Sequence, residues 1–408
     1  MFTRIRQGAA SSALLFIVFI DDLVKHLEER CPQEPILDTL HCLLHADDTA
    51  IISTNRELFI DKCDHMLDYF AENSLSLNLS KSGYLIINGK AEDLKSNLPL
   101  KNGMLPYKEE IKYLGVKISD SGNLREDVNR YIEGKRSNLS IKFRNFCRKN
   151  FLAPLFVKLK VLSSCVSASL VYGCETWGMN KLRNAESAFR QGLKAALSVR
   201  DCINNEIVYI ESGEWPLEIR ITKQQIKFWI AIQDIIDSNP EHYIAKLVRI
   251  GESTDYIKYY RNMIDIYKDT KTCNETMKNN YSISMKTKIE IAARTDPDSK
   301  LGTYLMINPE LKTPVYEQKF EFQRVAVTRY RTGSHNLRIE KDRRYSNSKR
   351  EDRVCVCNMG IQSLKHVLLE CPLLQGIRDK YDIHDVQKGV SCDDFLLEME
   401  CILNLKCN

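Results

Sequence analysis

The sequence predicts an α+β fold in which an antiparallel sheet with packed helices comes first, a wholly helical part follows, and a small cysteine-containing tail comes last. Two observations carry the α+β assignment. Apolar runs flank the tetrapeptide His45-Ala46-Asp47-Asp48, which indicates a strand, a tight turn and a second strand. Apolar residues recur at helical spacing between Leu58 and Asn73, and again from about 123 to 235.

The two carboxylates at the tip of the first hairpin are candidate metal ligands. Adjacent carboxylates repel each other and lose solvation when buried, so a hairpin that holds Asp47 beside Asp48 usually supplies a cation. Mg²⁺ accepts carboxylate oxygens and commonly keeps substrate phosphates as further ligands. The alternative is an ordinary turn, since Asp is common in turns. The neighbouring segments favour the metal site.

Three further segments accompany the hairpin in a fixed order. Arg6-Gln7-Gly8 precedes an apolar run, Leu75 to Ser82 alternates as a strand does, and Tyr113-Leu114-Gly115 leads into Val116-Lys117-Ile118. Together with the Asp47-Asp48 hairpin, these segments resemble the second half of the palm of reverse transcriptases encoded by non-long-terminal-repeat (LINE-type) retrotransposons. The resemblance is close from residue 4 to about 120 and looser towards the C-terminus.

The resemblance implies a role for each segment. Arg6, Gln7 and Gly8 would open a helix beside the template and the incoming nucleotide, and Asp47, with Asp48 as its neighbour, would bind Mg²⁺. Lys81 matches a lysine that assists pyrophosphate departure, with a plain surface lysine as the alternative. Tyr113, Leu114 and Gly115 match the primer grip, although the first two could simply be hairpin core. The implied activity is RNA-directed DNA synthesis by two-metal phosphoryl transfer.

The sequence also departs from the family pattern. The family carries another metal-binding carboxylate on a strand before the Arg-Gln-Gly helix, whereas this sequence starts at Met1, and Asp21 and Asp22 are expected to be scaffold. We therefore expect an N-terminally truncated nucleotidyltransferase of a transposable element that is inactive alone. Ala10 and Ala13 stand where the family has prolines, and His45 stands where it has an aromatic residue before Ala-Asp-Asp.

Charge is concentrated within the helical part. The whole chain of 408 residues has a formal net charge of only +5, yet the stretch from Asn123 to Asn150 alone has eight basic and three acidic residues. The resemblance places a thumb here, and a basic face would contact phosphates without reading sequence; a solvated helix face is the alternative. The candidate backbone contacts are Arg130, Lys135, Arg136, Lys142 and Arg144.

A second cluster of chemically active residues lies near the C-terminus. Cys355, Cys357, His366 and Cys371 offer the four ligands that a structural Zn²⁺ takes. Residues 363–370 are predicted to form a short helix, and Asn358-Met359-Gly360 allows the chain to turn back. The alternative is buried thiols and a surface histidine. LINE-type proteins often end in a similar zinc knuckle after an arginine-rich stretch such as 329–340, and metal would fold a tail expected to lack a core.

These observations predict four segments: a partial palm (1–120), a helical thumb (121–235), a polar helical connector (236–322), and a basic stretch with a zinc knuckle (323–408). The expected partners are an RNA template, a DNA primer and deoxynucleotides, with oligomeric state left open. The alternatives are a non-catalytic nucleic-acid-binding remnant and a gene-model fragment. The apolar run 13–20 is too short to span a membrane and the cysteines are irregularly spaced, so we expect a reduced protein of the nucleus or cytoplasm.

Overall fold

The computed structural model describes residues 12–31, 40–89, 95–177, 183–315, 320–346, 348–381 and 393–402. The chain divides into two compact units. The first comprises Met1–Tyr131 and Ile226–Ile266, and the second comprises Ile132–Gln225 and Tyr267–Asn408. Helices and small antiparallel sheets occur together, which confirms the α+β class. No helix within the described ranges combines the length and the apolar character needed to cross a membrane.

The first 120 residues contain the strands. Each strand pairs antiparallel with its neighbour in sequence, so the described part holds three separate hairpins rather than one continuous sheet. The helices are α1 (Ser12–Ile20), α2 (Leu23–Glu28) and α3 (Arg56–Glu72), and the strands are β1 (Cys42–His45), β2 (Asp48–Ile51), β3 (Leu98–Leu100), β4 (Gly103–Leu105), β5 (Glu110–Tyr113) and β6 (Val116–Ser119).

Helix α3 organises the core beside the hairpins. The Asn55 side chain caps its start by accepting a hydrogen bond from the Leu58 amide at 2.8 Å. The apolar face predicted from the sequence is confirmed, since Leu58, Met66, Leu67 and Phe70 are all buried. Met66, Leu67 and Phe70 pack in one cluster with Leu23 and Leu27 of α2, and the partly buried Leu44 and Ile51 of the first hairpin pack against it.

The strand predicted for residues 75–82 is wrong. Leu75, Leu77 and Leu79 are half-buried and alternate with exposed residues, as the pattern predicted, but the segment belongs to no strand. Leu75 and Leu77 pack against the α3 core. The alternation of apolar and polar residues shows only that an extended segment has one apolar and one polar face. A strand also needs a neighbouring strand to which it is hydrogen-bonded. No described strand pairs with this segment, which ends in a turn at Asn78.

The described part of the chain after residue 120 is mainly helical. The helical structure predicted from about 123 to 235 is confirmed there, and the stretch from Leu155 to Val171 has a π-helical middle at Leu162–Ser167. The helices are α4 (Leu124–Lys149), α5 (Leu155–Val161), α6 (Ala168–Val171), α7 (Cys174–Trp177), α8 (Arg183–Leu197), α9 (Asn205–Ser212), α10 (Leu217–Ser238), α11 (Tyr243–Ile250), α12 (Asp255–Tyr267), α13 (Thr270–Thr295), α14 (Lys300–Ile307), α15 (Glu321–Arg331), α16 (Arg338–Tyr345), α17 (Gln375–Lys380) and α18 (Asp393–Ile402).

Buried ion pairs connect distant helices within the second unit. Lys158 of α5 is fully buried, and its ammonium donates to Glu321 of α15 at 2.7 Å. The guanidinium of Arg324 contacts both oxygens of the same carboxylate, at 2.9 and 2.7 Å. On the next turns of α15, Arg331 pairs with the buried Glu211 of α9 at 3.0 Å. Helix α15 is therefore fixed by charge pairs to elements more than one hundred residues earlier in the sequence.

The expectation that the C-terminal tail lacks a core is wrong. Val327 and Tyr330 of α15 belong to one buried cluster with Cys355, Cys371 and Phe395. Helix α18 supplies Phe395, Leu396 and Met399 to that cluster. The structure gives the apolar residues of the tail buried partners from α15 and α18.

Gly192 provides a test of the helix packing in the second unit. A Cβ added there would overlap the side chain of Leu162, which is buried at the start of the π-helical segment, whereas a Cβ at Gly134 of α4 would meet nothing within 4 Å. We expect Gly192→Ala to lower the free energy of unfolding by about 1–3 kcal/mol through overpacking. The matched variant Gly134→Ala should raise it by about 0.5–1 kcal/mol. Urea unfolding measures both, and equal shifts would contradict the assigned packing.

Candidate functional site

The first hairpin holds the two predicted metal ligands. Strands β1 and β2 pair in the register His45↔Asp48, so Ala46 and Asp47 form a two-residue turn as predicted. Ala46 has a φ of 52°, a left-handed conformation that costs a residue with a Cβ roughly 1 kcal/mol. The turn places Asp47 at the tip and Asp48 at the first position of β2.

The carboxylates of Asp47 and Asp48 are available for a ligand. Both residues are exposed, and within the described ranges neither side chain has a hydrogen-bond or ion-pair partner. No third Asp, Glu, His or Cys of the described residues joins them in a possible metal-binding group. Two adjacent carboxylates with free oxygens suit a hard cation such as Mg²⁺, although they form only part of a full ligand set.

The second hairpin carries the predicted primer-grip residues. Strands β5 and β6 pair in the register Tyr113↔Val116, and Leu114 and Gly115 form the turn with φ values of 45° and 84°. Positive φ at both positions is the geometry of a type I′ turn, which Gly115 adopts without strain. Burial, and next the charge of Asp48, raise the pKa of Tyr113. The charge of Asp48 therefore acts on one of the predicted primer-grip residues.

The N-terminal end of α4 fixes the second hairpin in place through hydrogen bonds. Asp127 of α4 is buried, and its carboxylate accepts hydrogen bonds from the amide and the hydroxyl of Ser119 at 2.8 and 3.0 Å. Arg130 pairs with the other oxygen of Asp127 at 2.9 Å. Arg130, predicted as a phosphate contact, therefore already has a carboxylate partner within its own unit.

Lys81 lies on the turn that ends the extended segment. The Asn78 side chain accepts hydrogen bonds from the Ser80 hydroxyl at 2.7 Å and from the Lys81 amide at 3.3 Å, which explains the need for asparagine there. The Lys81 side chain is exposed. The backbone carbonyl of Lys81 accepts a hydrogen bond from the Lys108 ammonium at 3.4 Å. No contact in the described part joins Lys81 to either hairpin tip. Arg6, Gln7 and Gly8 lie outside the described residues.

The other basic candidates in α4 have different surroundings. Arg144 bonds to both carboxylate oxygens of Asp201 at 3.2 Å. The Lys135 ammonium lies 5.9 Å from the centre of the Tyr172 ring. Lys142 is exposed and has no hydrogen-bond or ion-pair partner among the described residues. Arg136 lies within α4, and its side chain is not among the parts of the chain that the structure describes.

The four predicted zinc ligands come together at the C-terminus. One ligand atom from each of Cys355, Cys357, His366 and Cys371 lies within 4.8 Å of the others. Cys355 Sγ lies 3.9 Å from Cys371 Sγ, and Cys357 Sγ lies 3.2 Å from His366 Nε2. A tetrahedral zinc with thiolate ligands at about 2.3 Å requires separations of roughly 3.5–3.8 Å. The donor set and its size both fit zinc.

Two local structures bring these ligands together. Cys355 and Cys357 lie on a turn. The Cys355 amide donates a hydrogen bond to the Gly360 carbonyl at 2.7 Å across this turn, and Asn358 within it adopts a φ of 60°. The predicted helix at 363–370 is confirmed in kind, with His366–Glu370 forming a π-helical turn. The Cys371 amide donates to the His366 carbonyl at 2.8 Å, so the two last ligands point to one place.

The polar groups around the cluster support the ligands. Burial works to raise the pKa of Cys357, but hydrogen bonds from the Met359 amide and from His366 outweigh it and lower the pKa to about 7. Burial raises the pKa of Cys371 to about 12. On the far side of the imidazole, His366 Nδ1 lies 3.4 Å from a carboxylate oxygen of Glu370. Such a partner fixes the tautomer and orientation of a zinc-binding histidine.

Sequence reasoning missed two members of this site. Glu370 stands four residues after His366, and that spacing in a helix could have identified it. Gly360 was predicted only to permit a turn, but a Cβ there would lie 3.1 Å from His366 Nδ1. The close approach of the Gly360 backbone to the imidazole depends on the fold of the turn, which no local pattern reveals.

Comparison with known proteins agrees with the geometry of the hairpins. No curated protein matches the chain. A family model does match its first part, and the matched range contains the Asp47-Asp48 hairpin, Lys81 and the Tyr113-Leu114-Gly115 turn. Residues 1–118 are thus similar to the family described as reverse transcriptase (RNA-dependent DNA polymerase).

Proposed function

We propose that this chain is part of the reverse transcriptase of a non-long-terminal-repeat retrotransposon, which copies an RNA template into DNA from a DNA primer and deoxynucleotides. One observation carries the proposal: within the segment that matches the reverse transcriptase model, the carboxylates of Asp47 and Asp48 stand at the end of a tight hairpin without a partner among the described residues, and the charge of Asp48 acts on Tyr113 of the second hairpin. A metal site next to a primer-holding turn is the arrangement that templated DNA synthesis requires.

In this proposal the residues of the chain divide the work. Asp47 is the direct Mg²⁺ ligand and Asp48 its neighbour, and bound Mg²⁺ supplies the charge that stabilises the transferring phosphate. Tyr113, Leu114 and Gly115 hold the primer end against the metal site. Arg6, Gln7 and Gly8 contact the template and the incoming nucleotide, and Lys81 assists the departing pyrophosphate.

We further propose that this polypeptide does not polymerise DNA alone. Two-metal phosphoryl transfer needs carboxylates from two places in the fold, and the described residues around Asp47 and Asp48 supply one place. The functional segments we propose are the palm part (1–120), the helical thumb (121–235), the connector (236–322) and the zinc-binding tail (323–408). A reduced compartment, nucleus or cytoplasm, fits the free thiols this assignment needs.

We expect Asp47→Asn to weaken divalent-cation binding by about tenfold, because it removes one anionic oxygen ligand. Titration with Mn²⁺, monitored by electron paramagnetic resonance, measures the affinity directly and does not depend on catalysis. The control is Asp265→Asn, which removes an equally exposed carboxylate from α12. Equal affinities in the wild type and Asp47→Asn would contradict the metal assignment. Mg²⁺-dependent primer extension by the wild type would contradict the proposed inactivity.

The tail cluster is proposed to hold one structural Zn²⁺. Four protein ligands leave no open coordination position, so this zinc takes no part in chemistry. Cys355 and Cys371 belong to the same buried cluster as Val327 and Tyr330 of α15, so metal binding stabilises the tail and the helix together.

Metal analysis of the purified protein should find about one zinc per chain, and Cys371→Ser should lose it because three ligands remain. The control is Cys165→Ser, which changes an exposed cysteine outside the cluster. Glu370→Gln should weaken zinc binding roughly 10- to 100-fold while keeping all four ligands. Chelation should lower the thermal unfolding temperature of the wild type. Zinc content near zero in the wild type would overturn the assignment.

A second candidate function is nucleic-acid binding without catalysis. The observation in its favour is the exposed Lys142 on a helix rich in basic residues, in a chain that also carries a candidate zinc knuckle. This function predicts salt-dependent affinity that survives Asp47→Asn, because phosphate contacts do not need the metal site.

Lys142→Gln should weaken binding to a short DNA duplex and reduce the slope of log affinity against log salt by about 1, since one phosphate contact is lost. Lys227→Gln of α10 is the matched control, because Lys227 is also exposed and lies outside α4. Fluorescence anisotropy over a salt series gives both quantities. A slope that changes equally in the two variants would show that Lys142 contributes only general charge.

A further inference from the structure

The turn between α4 and α5 exposes large apolar side chains in an unusual setting. Leu152 is 72% exposed and Phe156 is 70% exposed, and Phe151, directly before Leu152, is 38% exposed. Single exposed apolar residues are ordinary on protein surfaces, but several within six residues of chain mark an interaction site. We call Leu152, Phe156 and the cations named next the Phe156 surface.

The Phe156 surface is strongly positive. Residues 134–174 contain eight lysines and arginines and no aspartate or glutamate. Arg148, Lys149 and Lys160 lie at the end of α4 and within α5, are exposed, and have no hydrogen-bond or ion-pair partner in the described ranges. A partner for this surface therefore combines negative charge with flat or apolar groups.

Hydrogen bonds to backbone carbonyls fix the turn between α4 and α5. The buried Lys158 ammonium donates to the Phe151 carbonyl at 2.9 Å and to Glu321 at 2.7 Å, and lies 5.6 Å from the centre of the Phe151 ring. The Ala153 amide donates to the Asn150 carbonyl at 3.0 Å. A fixed backbone presents Leu152 and Phe156 to solvent without the entropy loss that a mobile loop would suffer on binding.

A second pair of aromatic residues flanks Glu321, the ion-pair partner of Lys158. Glu321 stands between Phe320 and Phe322, whose rings lie parallel within 8° and 5.8 Å apart. Both rings are largely exposed. The ion pair of Lys158 with Glu321 thus connects two segments that each offer aromatic faces to solvent.

From these observations we infer that the Phe156 surface binds single-stranded nucleic acid, with bases stacked on Phe156 and packed on Leu152 and phosphates paired with Arg148, Lys149 and Lys160. Exposed aromatic faces among cations bind unpaired bases without sequence preference. A duplex keeps its base faces stacked internally and offers only phosphates. The inference takes from the proposed function only that nucleic acid is a partner, and it involves neither Asp47 nor the zinc cluster.

The test compares a labelled oligothymidine of about 15 nucleotides with a duplex of the same length by fluorescence anisotropy. Phe156→Ala should weaken single-strand binding about tenfold, the effect of losing one stacked base, and leave duplex affinity unchanged. Phe156→Trp should retain the affinity and show fluorescence quenching on addition of the oligonucleotide. Ile250→Ala, which truncates another exposed apolar side chain, is the control and should change neither affinity.

The cations are tested separately. Lys149→Gln combined with Lys160→Gln should weaken binding to both nucleic acids and reduce the single-strand salt slope by about 1.4. The control combines Lys227→Gln with Lys258→Gln, which removes the same charge from exposed positions of α10 and α12.

Four results would overturn the inference. They are failure of the wild type to bind either nucleic acid, unchanged single-strand affinity in Phe156→Ala, an equal loss on the duplex, and binding to phosphatidylserine vesicles that Phe156→Ala abolishes while oligonucleotide affinity stays constant. Mn²⁺ titration of Asp47→Asn in parallel separates the two proposals, because that experiment reports on the metal site whether or not the Phe156 surface binds.

Discussion

The buried ion pair between Lys158 and Glu321 is the constraint that connects α5 to α15 within the second unit. Both groups are buried, so each would be costly without the other: removing one partner of a buried pair costs roughly 3–5 kcal/mol. Arg324 completes the network by satisfying the remaining carboxylate capacity. Because the pair spans 163 residues of sequence, it sets where α15 lies relative to α5.

The position of α15 then decides the environment of the cysteine cluster. Val327 and Tyr330 on this helix enter the buried cluster that contains Cys355 and Cys371. The second ion pair, Arg331 with Glu211, fixes the other end of the helix. Cys355 and Cys371 therefore belong to a core that α15 helps to form, and a metal bound by the cluster would add to that core.

The sequence predicted the local features of this protein better than the long-range ones. The first hairpin, the face of α3 and the convergence of Cys355 with Cys371 follow from turn chemistry, periodicity and ligand spacing, which act over a few residues. The second hairpin was implied by the family resemblance alone. The strand at 75–82 could not be judged in that way, because strand formation depends on a partner elsewhere in the fold. The pairing of Glu321 with Lys158 could not be predicted, because the residues next to each of them in the sequence do not indicate that the side chain is buried.

The two candidate cation sites differ in the way their functions require. Asp47, at the tip of the turn, and Asp48, the first residue of β2, are exposed and offer hard oxygen ligands, and a metal held there would keep most of its coordination sphere for other groups, phosphates included. Cys355, His366 and Cys371 are buried, and with Cys357 they offer the four ligands of a closed zinc site. An open oxygen site exchanges its ligands with each substrate, whereas a closed sulfur site keeps its metal. Under the two proposals, the chain would separate a reactive cation from a structural one by ligand type and by burial.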